Sequence, residues 1–127
     1  MPLVRIAYLK GKPQGFGQKV AEIVYHTMVE TINVPQNDNF QLITEQEPGT
    51  FIFDPAYLHI PRTDGLIVIQ ITLNEGRSVE LKKALYHALA ERLHQELGVR
   101  PEDVFINLVE VRKENWSFGN GIAQYAE

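Results

Sequence analysis

The chain repeats itself. Displaced by 65 residues along its own length, without a gap, Pro2–Val34 falls on Ile67–Val99. Apolar positions coincide throughout: Leu3 with Val68, Val4 with Ile69, Ile6 with Ile71 and Tyr8 with Leu73. The match continues through Phe16 and Leu81, Val20 and Leu85, Val24 and Leu89, Met28 and Leu93, and Ile32 and Leu97. Gly11-Lys12 lands on Gly76-Arg77, Val34 on Val99, and Asp38-Asn39-Phe40 on Asp103-Val104-Phe105. Few of these pairs are identities. What is shared is the pattern of burial, and a repeated pattern of that kind means one supersecondary unit present twice.

Each unit reads strand, helix, strand. Pro2 to Leu9 is a short apolar-rich run closed by Lys10-Gly11-Lys12, and Pro13 suits the first turn of a helix. Phe16, Val20, Ile23, Val24, Met28 and Ile32 recur at helical spacing, and Asn33 with Pro35 ends the run. Phe40 to Glu45 alternates as a half-buried strand does. In the second unit Leu66 to Leu73 is β-branched and nearly continuous, the pattern of a strand covered on both faces. Ser78 is placed to cap the next helix, with Glu80 favourable for its dipole. Leu81, Leu85, Ala88, Leu89, Leu93 and Leu97 form that helix's buried stripe before Gly98 stops it. Val104 to Val111 closes the unit.

The expected architecture is α+β: two pseudosymmetric βαβ units forming a four-stranded sheet with two helices on one face. A loop with a small extra strand at Phe51-Ile52-Phe53 and a C-terminal extension complete it. With 127 residues and 14.5 kDa, one domain over 1–127 is expected: units 2–46 and 65–111, loop 47–64 and tail 112–127. Ferredoxin-like domains and the tautomerase fold both fit this order, and architecture alone selects no function.

Composition narrows the partners. Twelve Lys and Arg stand against 16 Asp and Glu, a formal net charge of -4, with no run of like charge. Binding to nucleic acid or to anionic lipid has no electrostatic basis. The chain has no cysteine, hence no thiolate nucleophile and no Cys-bound metal. Its longest apolar stretch, Gly65 to Leu73, falls far short of the ~20 residues of a membrane helix, and Met1-Pro2-Leu3-Val4-Arg5 lacks signal-peptide features. A cytoplasmic protein is expected.

Pro2 aligns with Ile67 at the start of a buried strand, which sets the amino terminus in the sheet. Proline at a strand's first residue has a structural use, since it blocks one hydrogen bond. It also has a chemical one. Removal of Met1, expected when so small a residue follows, leaves a secondary amine. An α-amino group titrates near ~7.7–8.0, and apolar surroundings lower that by disfavouring the cation. A base near neutrality is then available for proton transfer. With Met1 retained the nitrogen is an amide and has no basicity.

Pro2, Val34-Pro35-Gln36-Asn37-Asp38-Asn39-Phe40-Gln41, Gly76-Arg77-Ser78 and Asn115-Trp116-Ser117-Phe118-Gly119-Asn120-Gly121-Ile122-Ala123-Gln124-Tyr125 resemble the tautomerase superfamily. The resemblance covers essentially the whole chain and is nearest to the branch of malonate semialdehyde decarboxylase and its tautomerase-like relatives. It implies a homotrimer of βαβ-βαβ subunits, a catalytic amino-terminal proline and no cofactor. Position by position, Pro2 matches the catalytic proline and Asp38 the acidic residue. Arg77 matches the second arginine of an Arg-x-Arg sequence, whose first place is held here by Glu75. Asn39 stands where many relatives carry arginine, and Arg62 matches an arginine common among them. Trp116 and Phe118 match aromatic residues lining the pocket.

On this reading Arg77 clamps a substrate carboxylate through paired hydrogen bonds, and Asp38 orients or transfers a proton. The plain alternatives are a surface arginine and a turn-forming aspartate. Lys12 holds Arg77's place in the first unit, where it is a second cationic contact or, on the plainer reading, solvated. Glu91, His94 and His87 share a helix face, read as solvated rather than as a metal site, and His26 and His59 stand alone. The leading expectation is an isomerase: a cofactor-independent tautomerase acting on a small carboxylate-bearing 2-keto or enol substrate. A decarboxylase or hydratase using the same residues is the first alternative, and a ferredoxin-like ligand-binding module without chemistry is the second.

Overall fold

The computed structural model describes residues 2–126. Met1 lies outside the described residues, and so does its expected removal. The elements run β1 (Leu3–Leu9), α1 (Phe16–Ile32), β2 (Phe40–Gln46), β3 (Ile67–Asn74), α2 (Val79–Leu97) and β4 (Val104–Val111). One sheet has the order β2-β1-β3-β4, in which β1 and β2 are parallel, β1 and β3 antiparallel, and β3 and β4 parallel. This is the expected pair of βαβ units, joined back to back through their first strands.

The repeat holds down to single hydrogen bonds. Asn33 ends α1 at φ 62° and Gly98, 65 positions on, ends α2 at φ 69°. The next residues, Val34 and Val99, each donate to a carbonyl six residues back, Met28 and Leu93, at 3.3 Å. This closing of a helix by a left-handed residue satisfies carbonyls that the last turn leaves over. After the first strands, Gly11 and Gly76 take φ 108° and 121°. Lys10 N–H then meets Gln46 O at 3.0 Å, and Glu75 N–H meets Val111 O at 2.9 Å.

Val4, Ile6 and Tyr8 of β1 and Ile67, Ile69, Ile71 and Leu73 of β3 point to one face. They are buried there against Val20, Val24 and Met28 of α1 and Leu85, Leu89 and Leu93 of α2. Gly17 lets α1 approach: a Cβ there would meet Tyr8 Oη at 2.5 Å and Ile43 Cγ2 at 2.7 Å. Arg92 of α2 ties the helices together, pairing with Glu30 and donating to Thr27 Oγ1 at 3.2 Å. Ser78 caps α2 as expected, its Oγ accepting from Leu81 N–H at 3.2 Å.

Three local expectations change. Pro13 lies in the turn before α1, where its carbonyl accepts from Phe16 N–H at 3.1 Å. Phe51-Ile52-Phe53 forms no strand; 3-10 turns at Pro48–Thr50 and Tyr57–His59 bracket it, and no neighbouring strand pairs with it. The face of the sheet away from the helices, carrying Arg5, Leu42, Thr44, Val68, Gln70, Phe105 and Asn107, is uncovered within one chain. The nearly continuous apolar run of β3 therefore meets helices on one side only, and its side chains alternate between buried and half-buried. Phe40 and Leu42 of edge strand β2 stand on the helix-free face and are 54% and 50% exposed.

Candidate active site

Parallel pairing of β1 with β2 sets Leu3 beside Phe40, and antiparallel pairing with β3 sets Leu3 beside Thr72. The residue ahead of Leu3 therefore sits where β2 begins and β3 ends. Pro2 is buried there, on a cavity of about 220 Å³ lined by Pro2, Leu3, Phe40, Trp116, Ser117 and Phe118. The lining is mostly apolar.

The aromatic wall comes from the tail beyond β4. A 3-10 turn at Lys113–Asn115 redirects the chain. Trp116 and Phe118 then stack, with ring centroids 5.4 Å apart and planes within 17°. Tyr125 meets Phe118 edge-on at 4.8 Å. Gln124 clasps the loop, its Oε1 accepting from Phe118 N–H and its Nε2 donating to Gly119 O, both at 2.9 Å. The turn between them needs Gly119, Asn120 and Gly121 at positive φ, 137°, 61° and 68°. Sequence reading took these glycines as a turn, and the clasp explains the turn's purpose.

Arg77 is half-buried just ahead of α2, but its guanidinium lies at the other helix. Nε donates to Ile32 O at 2.9 Å and Nη1 to Asn74 O at 3.4 Å. Its proximity to the start of α2 is electrostatically unfavourable, whereas the carboxyl end of α1 carries partial negative charge that holds a cation. Asp38 is half-buried in the loop entering β2, where its N–H donates to Pro35 O at 3.3 Å. Asn37 ahead of it takes φ 67° and gives its N–H to Tyr25 Oη at 2.8 Å. Pro2, Trp116 and Phe118 thus line one cavity together, while Arg77 and Asp38 stand outside its lining. The link to Arg77 is Asn74, whose Oδ1 accepts from Trp116 Nε1 at 2.7 Å while its carbonyl accepts from Arg77.

The repeat extends to the site. A second cavity of about 380 Å³ includes Ile52, Phe53, Val68 and Phe105, each 65 residues from Ser117, Phe118, Leu3 and Phe40. Phe51 and Phe53 pair at 5.6 Å in the places of Trp116 and Phe118. Lys12, the counterpart of Arg77, sits 5.4 Å from the centre of the Phe16 ring rather than in open solvent. Asp103, the counterpart of Asp38, is buried and accepts from Thr63 N–H at 2.7 Å and Thr63 Oγ1 at 2.5 Å. Arg62 is spent on main chain, donating to Asp54, Tyr57 and Ile60 carbonyls at 3.4, 3.0 and 3.3 Å. In this twin the nitrogen in Pro2's place belongs to Ile67, an interior amide that cannot be a base.

Elsewhere, His87 pairs with Glu91 at 3.1 Å and His94 Nδ1 meets Val99 O at 3.0 Å, both on α2. No group of three potential metal ligands occurs among the described residues. Tyr8, near the far end of β1, has its hydroxyl pushed above the usual tyrosine range by burial and by nearby Glu45, against a hydrogen bond from Gly17. Sequence reading missed Phe40 as a wall and Asn74 as a link. The available signal for Asn74 was a polar residue closing a buried strand where the first unit has Leu9.

A family model described as tautomerase enzyme matches residues 38–119. The chain is 49% identical over 127 residues to Probable tautomerase YusQ of Bacillus subtilis (strain 168), covering 100% of both. It is 34% identical over 125 residues to Probable tautomerase YrdN of the same organism, covering 98% of this chain and 96% of that one. Among solved structures, FG41 malonate semialdehyde decarboxylase inhibited by 3-bromopropiolate superposes with a TM-score of 0.89. Its identity is 32%, over 98% of this chain and 94% of that chain. A fused 4-OT solved as a symmetric trimer shares the fold, with a TM-score of 0.78 and 22% identity over 98% of each chain. No helix among the described residues is long and apolar enough to cross a membrane.

Proposed function

The chain belongs to the tautomerase family, an isomerase family, and from that premise we propose a cofactor-independent keto–enol tautomerase acting on a small carboxylate-bearing 2-keto or enol substrate. Pro2, freed of Met1, is the general base. The observation that carries the reading is the burial of Pro2 on an apolar cavity walled by Trp116, Phe118 and Phe40. Desolvation there disfavours the ammonium form and leaves the amine able to accept a proton.

In the forward step the neutral Pro2 nitrogen takes the enol proton, and the electron pair re-forms the carbonyl while carbon accepts a proton. The ammonium of Pro2 can return that proton, so the step balances without a co-reactant. Arg77 anchors the carboxylate with the N–H groups that Ile32 and Asn74 leave available. Asp38 orients or relays the proton. Its support is the repeat: its counterpart Asp103 is buried and accepts from Thr63 N–H and Oγ1 just ahead of the second unit's first strand. Trp116 and Phe118 bind the carbon skeleton.

A decarboxylase or hydratase reaction is the second reading, favoured by the 0.89 TM-score to a malonate semialdehyde decarboxylase. Against it, Glu75 stands in the place of the first arginine of that branch's Arg-x-Arg sequence, so the paired arginines are not both present here. We further propose a homotrimer, supported by the uncovered sheet face and by the trimeric neighbour. The test is ketonisation of phenylenolpyruvate. Pro2→Ala and Arg77→Ala are each expected to lose activity; parental rates in both would end the enzyme reading.

A further inference from the structure

We propose that Asn74 is a positioning residue of this site, fixing the indole of Trp116 against the Pro2 cavity and binding Arg77 to the same strand end. The inference rests on the reading of that cavity as the substrate site, and it names the part that holds its two walls together.

Asn74 is the last residue of β3 and pairs with Val111 of β4. Its first-unit counterpart is Leu9, so asparagine here breaks the duplicated apolar pattern at the end of the sheet where Pro2 lies. An indole N–H only donates, so the group facing it at 2.7 Å is the amide oxygen of Asn74. The main-chain oxygen of Asn74 meanwhile accepts from Arg77 Nη1. Side chain and backbone of one residue thus meet the aromatic wall and the carboxylate anchor. The other end of the Trp116–Phe118 stack is clasped by Gln124, through Phe118 N–H. The tail is therefore held at both ends, once to itself and once to the sheet. Without the Asn74 contact, nothing among the described hydrogen bonds ties the indole to the sheet.

Trp116 is the chain's single tryptophan, so its emission and its indole N–H resonance report on this one side chain. Asn74→Leu, which restores the residue type of the first unit, is expected to raise acrylamide quenching at least twofold and indole hydrogen exchange at least tenfold. Asn74→Asp, which keeps an acceptor oxygen, should retain parental values of both. On phenylenolpyruvate, Asn74→Leu should raise KM about fivefold, the equivalent of one hydrogen bond of ~1 kcal/mol, with kcat nearly unchanged. If Asn74→Leu does not fold, Asn74→Ala removes the same acceptor with less bulk. Quenching and exchange within error of the parent in the acceptor-less variant would overturn the proposal, and so would an unchanged KM beside a loosened indole. Activity that survives Pro2→Ala would instead overturn the catalytic reading, while the indole measurements still decide the role of Asn74.

Discussion

Arg77 shows how far a single residue's surroundings depend on distant chain. Its neighbours in sequence place it before a helix, where a cation is unwelcome, yet its guanidinium is held by Ile32 O at the end of the other helix. Arg77→Ala should lower kcat/KM by roughly 10- to 100-fold, the range of one lost charge-assisted hydrogen bond, and Arg77→Lys should recover little of it because a point charge cannot match the planar fork. Steady-state kinetics checks both. Gly17 is a second position where one atom decides. Gly17→Ala should cost about 1–3 kcal/mol in denaturant unfolding, since its Cβ would push on Tyr8 and Ile43. Tyr8 also sets a pH dependence. Its raised pKa means the folded state favours the neutral phenol, so its stabilising contribution is complete below the ordinary value of 10 and is lost as pH rises through the folded value. Unfolding curves should weaken above pH 10, and Tyr8→Phe should flatten that slope.

At the scale of elements, helix ends tell most. Asn33 and Gly98 do the same work with different residues, and only glycine enters the left-handed region without steric cost. Asn33→Gly should leave stability unchanged or raise it slightly, whereas Asn33→Ala should cost about 1 kcal/mol in the same unfolding assay. Strand and helix positions were legible because burial recurs at periods that the repeat doubles, so each unit checked the other. The Phe51-Ile52-Phe53 run misled for a related reason. Its residues have strand character, but β-structure needs a partner strand, and the flanking prolines and short turns leave it without one. What it repeats is the Trp116–Phe118 wall, a correspondence visible only once both cavities are seen. Pro2, Trp116 and Phe118 were legible as a set through resemblance. Asn74 was marked only as a polar break in the repeat, opposite Leu9, and its partner Trp116, 42 positions away, has no local signature.

For the whole molecule, the face of the sheet away from the helices is the unfinished part. Leu42, Val68 and Phe105 stand there without cover, and β2 and β4 are open edges. Association into a trimer would bury them, and light scattering at micromolar concentration should give three times the 14.5 kDa chain mass. Leu42→Lys should shift that mass downward; a parent that stays monomeric would contradict the trimer. On the proposed reading only the first unit can supply a base, because in its twin the matching nitrogen is the main-chain amide of Ile67. The most direct test compares two preparations of one chain, resolved by intact mass, with Met1 removed and with Met1 retained. The fold is common to both, and the nitrogen of Pro2 is an amine in one and an amide in the other. Enol ketonisation should be confined to the processed form; equal rates in the two would contradict proline catalysis.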